Sequence, residues 1–109
     1  MKPAGIDGDQ STTTAPHYRL HRLETVPPKP GLVRVQEGGV SIEGEVWRLP
    51  AAGFGTFVAS VPSPMVIGTV TLAGGEDVSG FLVEPFAVVG APDISHVGGW
   101  RNFLAAMPS

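Results

Sequence analysis

The chain has 109 residues, of which 42% are hydrophobic and 16% are charged, so it holds enough apolar material for one small domain and too little charge for a disordered chain. Its formal net charge of −3, with only 7 Lys and Arg, argues against the clustered basic surface that nucleic-acid binding needs. The absence of Cys excludes disulfides, thiolate zinc sites and a cysteine nucleophile.

The sequence carries neither a secretory signal nor a membrane-spanning segment. The N-terminus lacks the apolar core of a signal peptide, and no apolar run approaches the length that crosses a bilayer. We therefore expect a cytoplasmic protein without a membrane or nucleic-acid partner. The 15 Gly and 11 Pro favour many short elements joined by tight turns over long helices.

The first third of the chain predicts a flexible arm, a strand and a stiff, polyproline-like connection. Residues 1–16 are small, polar and aperiodic, which predicts a flexible arm, and a single domain is expected over 17–107. Residues 17–23 alternate weakly between polar and apolar and predict a strand. The segment 26–31 contains three prolines, which cannot donate hydrogen bonds to a sheet, so it predicts a polyproline-like crossing.

The middle of the chain predicts the strand and short helix around which the rest packs. Residues 40–49 alternate with a period of two, which indicates a strand with one face on the core. A Gly-Gly turn at 37–39 is expected to pair this strand with a short strand over 32–36. The apolar period then changes to three and four over 54–61, which predicts a short helix.

The last third predicts a hairpin and a terminal helix. Strands are expected over 65–72 and 78–89, joined by a turn at 73–76. Asp93 or Ser95 offers an N-cap oxygen to a helix predicted over 94–107, whose Gly-Gly pair at 98–99 suits a close approach to the sheet. We expect the large aromatic side chains to form the core: Trp47, Phe54, Phe57, Phe81, Phe86 and Trp100.

Three groups of motifs stand in one order along the chain. They are PPKPGLVR at 27–34; EVWRLP at 45–50 with FGTFV at 54–58 and PSPMVIG at 62–68; and GFLVE at 80–84 with DIS at 93–95 and GGWR at 98–101. In that order they resemble the C-terminal domain of allophanate hydrolase, over roughly residues 18–105. The resemblance implies an α+β fold of the γ-glutamylcyclotransferase type, with a small twisted mixed sheet curled into a barrel and two short helices.

The resemblance also implies a role in urea or nitrogen metabolism. In the full enzyme a separate amidase-type domain with a Ser–Ser–Lys set hydrolyses allophanate, and the C-terminal domain is thought to help process the carboxylated product and to support assembly. No segment here resembles the amidase domain. The family's opening strand and Gly-containing loop are missing from 1–16, and the acidic general base of the related cyclotransferases is missing from 57–62. We therefore expect an accessory or vestigial module without a cofactor.

The candidate ligand-binding residues are Tyr18, Lys29 and Arg34, with Glu84 as the candidate catalytic acid. Lys29 and Arg34 flank the Pro-rich crossing and could clamp a small anionic, urea-derived carboxylate. Alternatively, they are a surface lysine and an arginine in a salt bridge. Glu84 lies in an apolar strand, where it could act as acid or base in a pocket or could pair with an arginine at a sheet edge.

Two other groupings of polar residues are weaker candidates. Glu43 and Glu45 share one strand face, which could set two carboxylates close together, although a solvated sheet face is the commoner outcome. His17 and His21 would lie about 13 Å apart along a strand and are poor joint ligands. We predict no metal site.

Two further functions stay open. A barrel that lacks one strand has an unpaired edge, so the chain could be a protein-association module that forms a homodimer or joins a separate amidase subunit. A third hypothesis is a γ-glutamylcyclotransferase-like enzyme that acts on γ-glutamyl compounds.

Overall fold

A computed structural model of the protein describes residues 7–48 and 51–106. In chain order the elements are β1 (Asp7–Thr13), β2 (Tyr18–Leu23), β3 (Lys29–Arg34), β4 (Glu43–Arg48), α1 (Ala51–Ala59), β5 (Met65–Thr71), β6 (Asp77–Val83), 3₁₀ turns at Pro85–Val88 and Ser95–Val97, and α2 (Trp100–Ala106). The strands pair antiparallel as β1–β4, β2–β3 and β5–β6. The α+β class with two short helices is thus confirmed.

The mixed sheet curled into a barrel, which the resemblance implies, is not found among the described residues. All three strand pairs in the described ranges are antiparallel and two-stranded, and they form no closed barrel there. Neither helix of those ranges is long and apolar enough to cross a membrane.

The structure differs from the flexible arm expected over 1–16. Asp7–Thr13 form β1, which pairs with β4 along its whole length, and residues 1–6 lie outside the described ranges. Thr14 and Ala15 follow it and are buried, and Thr14 Oγ1 accepts the N–H of Ile42 at 2.9 Å. Hydrophobic periodicity missed this strand because backbone hydrogen bonds to β4, not an apolar face, hold it in place.

The hairpin predicted through 37–39 is wrong, because β4 pairs with β1 and not with β3. The turn instead packs on the backbone that precedes β2. A Cβ added at Gly39 would lie 2.6 Å from the carbonyl carbon of His17 and 2.8 Å from the carbonyl oxygen of Pro16. Only glycine fits this close approach, so the Gly-Gly pair serves packing there and not a hairpin.

The predicted β5–β6 hairpin is confirmed. Its register runs from Met65↔Val83 to Thr71↔Asp77, and Gly75 in the turn has a φ of 94°, which favours glycine. β6 ends at Val83, short of the predicted residue 89, because Pro85 begins a 3₁₀ turn and cannot donate to a ladder.

The core is aliphatic around one buried tyrosine. It consists of Tyr18, Leu20, Ile42, Val70 and Ile94, and the stacked rings of Trp100 and Phe103 pack against it from α2. Three aromatic side chains expected in the core are exposed instead, namely Phe54 (38%), Phe81 (44%) and Phe86 (62%). Phe54 lies on α1 and Phe86 in the 3₁₀ turn Pro85–Val88. The ring of Phe81 on β6 packs edge-on against half-buried Phe57 of α1, with 5.6 Å between the ring centres. The side chain of Trp47 lies outside the described set.

The C-terminal segment is fixed to the edge of β2 opposite β3. The N–H of Ile94 donates to the carbonyl of Leu20 at 2.8 Å, and the N–H of Leu20 donates to Ser95 Oγ at 2.7 Å. Asp93 Oδ1 accepts the N–H of Ser95 at 2.9 Å, at the start of the 3₁₀ turn. Both edges of β2 are therefore occupied. The single helix predicted to begin at Asp93 or Ser95 is instead this 3₁₀ turn followed by α2, because Gly98 has a left-handed backbone that ends the turn.

The approach of α2 to the β-structure depends on a glycine, as the sequence predicted. A Cβ added at Gly99 would lie 2.9 Å from the carbonyl oxygen of Glu43. Gly98 has a φ of 91° and ends the 3₁₀ turn. The two glycines thus let the chain leave the turn and start α2 directly against β4.

Candidate functional site

Two of the predicted site residues, Tyr18 and Arg34, lie side by side. They face each other in the β2–β3 register, and the guanidinium carbon of Arg34 lies 5.7 Å from the centre of the Tyr18 ring. Tyr18 is fully buried, and its Oη accepts the N–H of Thr71 at 2.8 Å and Nη1 of Arg34 at 3.3 Å. The tyrosine therefore links β2, β3 and β5 beneath an exposed arginine.

The Arg34 side chain is held by one nitrogen and free at the others. Nη1 donates to Tyr18 Oη and to Thr71 Oγ1, both at 3.3 Å. Nε and Nη2 have no hydrogen-bond or ion-pair partner among the described residues. These two nitrogens form the edge of a guanidinium that binds a carboxylate with two parallel hydrogen bonds. The fold thus presents a fixed, solvent-exposed guanidinium edge.

An acidic residue stands beside this arginine. Thr71 Oγ1, which accepts from Arg34, donates to Asp77 Oδ1 at 2.7 Å. We call Tyr18, Arg34, Thr71 and Asp77 the Arg34 cluster. Sequence patterns did not reveal Thr71 and Asp77 as members of the site. The turn at 73–76 predicts that these two residues face each other, but no sequence pattern places this hairpin against β3.

Lys29 lies apart from the Arg34 cluster. It begins β3 and is exposed, whereas Arg34 ends the same strand, about 17 Å away at the usual rise of a strand. The expected clamp of one small ligand by both cations is therefore not formed.

Glu84 is also remote. It follows β6, at the opposite end of the β5–β6 hairpin from Thr71 and Asp77, and accepts a 3.4 Å hydrogen bond from Ser63 Oγ. The structure thus brings together Tyr18 and Arg34 and leaves Lys29 and Glu84 outside their reach.

Glu43 and Glu45 face α2 and not a bound group. Asn102 Nδ2 donates to Glu43 Oε2 at 2.8 Å, and the Arg101 guanidinium pairs with Glu45. With Trp100 they line an open cleft of about 670 Å³ between the β1–β4 pair and α2. Both residues keep part of their surface in solvent, and their partners on α2 hold the helix in place.

The ion pair between Arg19 and Asp93 is structural. Arg19 Nε donates to Asp93 Oδ2 at 2.9 Å, and His21 Nε2 lies 4.0 Å from the same oxygen. Partial burial opposes the charged form of Asp93, but the hydrogen bonds from Arg19 and Ser95 and the charge of Arg19 hold the pKa of this carboxyl well below its usual range. Among the side chains in the described ranges, no three His, Asp or Glu come together as metal ligands.

Comparison with known proteins decides the family. The model of the allophanate hydrolase C-terminal domain matches residues 2–105. The chain belongs to this family. Urea amidolyase of Lachancea kluyveri is 39% identical over 99 residues, which are 86% of this chain and 5% of that protein. Urea amidolyase of Saccharomyces cerevisiae is 40% identical over 99 residues, with the same two shares.

Solved structures agree. Urea amidolyase of Kluyveromyces lactis matches with a TM-score of 0.88 and 38% identity, over 95% of this chain and 7% of that chain. Allophanate hydrolase of Kluyveromyces lactis matches with a TM-score of 0.86 and 39% identity, over 92% and 17%. A uropathogenic E. coli-specific protein matches with a TM-score of 0.83 and 34% identity, over 96% and 81%. The family resemblance read from the motifs is thus confirmed, and the chain spans a small part of its curated relatives.

Proposed function

We propose that this domain is an accessory module of allophanate and urea breakdown that binds a small urea-derived carboxylate at Arg34. Family membership supports the metabolic setting, since relatives over nearly the whole domain are urea amidolyases and an allophanate hydrolase. The single observation that carries the binding role is the guanidinium edge of Arg34, fixed through Nη1 and open at Nε and Nη2.

The proposal assigns binding, and no catalytic step, to the Arg34 cluster. Glu84, the candidate acid, lies at the far end of the β5–β6 hairpin and cannot reach a small ligand held at Arg34. Tyr18 is a positioning residue, because it is fully buried and acts by holding Arg34 and Thr71.

Calorimetric titration with hydantoate (N-carbamoylglycinate), a stable ureido carboxylate, tests this function. We expect Arg34→Gln to weaken binding by at least about tenfold, because the substitution removes the charge and the two parallel hydrogen bonds. Arg22→Gln is the matched control, since Arg22 is a partly exposed arginine of β2 that pairs with Glu24. Equal affinity of the Arg34→Gln and Arg22→Gln variants would contradict the assignment.

A second function, protein association, is favoured by the outer edge of β5. Thr71 directs its N–H to Tyr18 Oη and its C=O to the N–H of Ala15, both away from β6. Along an antiparallel strand, the backbone N–H and C=O groups of successive residues point to alternate sides. The N–H and C=O of Ile67 and Thr69 therefore also point away from β6. Neither has a backbone partner on that side within the described part of the chain.

We propose, as this alternative, that the free edge takes up a strand from a second copy or from an amidase-type protein. The support is the free edge together with the relatives' greater length, since the chain covers only 5% of each curated urea amidolyase. Light scattering behind size-exclusion chromatography tests the self-association form. Thr69→Pro should dissociate a dimer, because it removes the outward N–H, and Thr69→Ala should preserve it. A wild-type monomer at high concentration would contradict it.

A further inference from the structure

We infer that Asp77 recognises the N–H groups of the ligand, so that the Arg34 cluster selects ureido carboxylates over simple carboxylates. The inference rests on the proposed binding of a carboxylate at Arg34. It adds a residue that determines specificity and a substrate class: small acids that carry N–H donors a few atoms away from the carboxylate.

The geometry places a cation and an anion next to each other without neutralising them. Thr71 Oγ1 stands between the two, 3.3 Å from Arg34 Nη1 and 2.7 Å from Asp77 Oδ1. Two hydrogen bonds in series keep Asp77 Oδ1 within about 6 Å of the guanidinium. No direct ion pair joins Arg34 and Asp77 among the described residues. Both charges therefore stay available to a ligand.

The orientation of the Thr71 hydroxyl is also set. It accepts from Arg34 and donates to Asp77, so its proton points at the carboxylate. Asp77 Oδ2 has no hydrogen-bond partner within the described part of the chain, and the residue is exposed. An ionised carboxylate accepts hydrogen bonds only, so this oxygen can take an N–H donor from a ligand.

These positions fit a ligand with two different ends. The carboxylate of a ureido acid can lie on Nε and Nη2 of Arg34 while its distal N–H groups, roughly 5 Å away, donate to Asp77. A simple carboxylate gains the Arg34 contacts but meets the negative charge of Asp77 with no donor to offset it. The cluster thus attracts ureido carboxylates and disfavours simple carboxylates.

Two isosteric probes separate these cases. Levulinate has the heavy-atom shape of hydantoate, with carbon in place of both nitrogens, so it keeps the carboxylate and lacks the N–H donors. In calorimetric titrations of the full chain we expect hydantoate to bind about fivefold more tightly than levulinate, which is the effect of one exposed charge-assisted hydrogen bond. In Asp77→Ala the two affinities should become equal within about twofold.

Glu76→Ala is the matched control, because it removes an exposed carboxylate of the same turn one residue away. It should keep the preference for hydantoate. If Asp77→Ala keeps the preference as well, or if the wild-type chain binds both probes equally, the inference is overturned. The Arg34→Gln variant distinguishes this failure from failure of the proposed function, since it should lose both probes even where Asp77 plays no part.

Discussion

The two sides of this domain differ in how completely the edges of their strands are paired. β2 is paired with β3 on one edge and is held by Val40 and by residues 92–95 on the other, and Tyr18 and Leu20 are buried in the core. β5 is paired with β6 along one edge. On its other edge, the backbone groups of Ile67 and Thr69 have no partner in the described part of the chain. The side of β2 is a closed structural core, whereas the side of β5 leaves backbone groups and part of its aromatic surface exposed.

The Arg34 cluster lies where these two sides meet. Tyr18 belongs to the closed side, Thr71 belongs to the open side, and the 2.8 Å hydrogen bond between them joins the two. A binding residue at such a junction gains a rigid support from one side and solvent access from the other. Substitutions on the closed side should therefore cost stability, while those on the open side should change binding.

A large loss of stability is expected at Gly39. Gly39→Ala would place a Cβ 2.6 Å from the carbonyl carbon of His17, and backbone atoms cannot move aside as a flexible side chain can. We expect about 3 kcal/mol of destabilisation in urea unfolding. Gly44→Ala is the control, because a Cβ there meets no atom within 4 Å and should leave stability within about 0.5 kcal/mol. Similar midpoints for both variants would show that the turn does not pack on His17.

Removal of the link between the two sides should cost less. Tyr18→Phe deletes the hydroxyl that accepts from the Thr71 N–H, so a part-buried donor loses its partner. We expect a loss of about 2 kcal/mol in the free energy of unfolding. Arg34→Gln removes a neighbouring exposed group and should cost no more than about 0.5 kcal/mol. If Tyr18→Phe is as stable as the wild-type chain, the hydroxyl does not join the two sides.

The contribution of Asp93, which lies at the second edge of β2, to the stability of the fold should depend on pH. The pKa of Asp93 in the folded protein lies below its usual value of 3.8, so ionised Asp93 stabilises the fold above that pH and the contribution is lost as the pH falls further. Asp93→Asn should cost about 1 kcal/mol at pH 7, since the side chain is about one-third exposed, at 35%. Stability measured from pH 7 to pH 2 should fall less steeply in this variant. Parallel curves would contradict the role of Asp93.

The smallest effect is expected on the open side. Phe86 is 62% exposed, and Phe86→Ser should change the free energy of unfolding by less than about 0.5 kcal/mol. Leu20→Ala, on the closed side, should cost about 3 kcal/mol because it leaves a cavity in the core. Thermal unfolding of the two variants measures the contrast directly. A comparable loss in both would mean that Phe86 is part of the core.

Hydrophobic periodicity predicted elements with an apolar side, whether or not the fold buries that side: Phe54 and Val58 of α1 are exposed, at 38% and 37%. β2, the β5–β6 hairpin and both helices were accessible in this way, and the order of the motifs gave the family. β1 was not accessible, since its residues DGDQSTT carry no apolar period. The partner of β4 was also hidden, because a period of two shows that a strand exists and not which strand it pairs with.

The candidate site could likewise be predicted from the sequence only in part. Arg34 and Tyr18 stood out as polar residues in a strand-rich motif region, and their register brings them together. Lys29 was grouped with Arg34 by sequence distance, but the rise of a strand carries the two apart. Thr71 and Asp77 reach Arg34 only through the packing of a hairpin from the other half of the chain, which no local pattern encodes.

A crystal structure of the protein with hydantoate tests the central claim most directly. We expect the ligand carboxylate on Nε and Nη2 of Arg34, with the ureido nitrogens turned towards Asp77. Hydantoate at Lys29, or in the cleft beside Arg101, with Arg34 unoccupied, would contradict it.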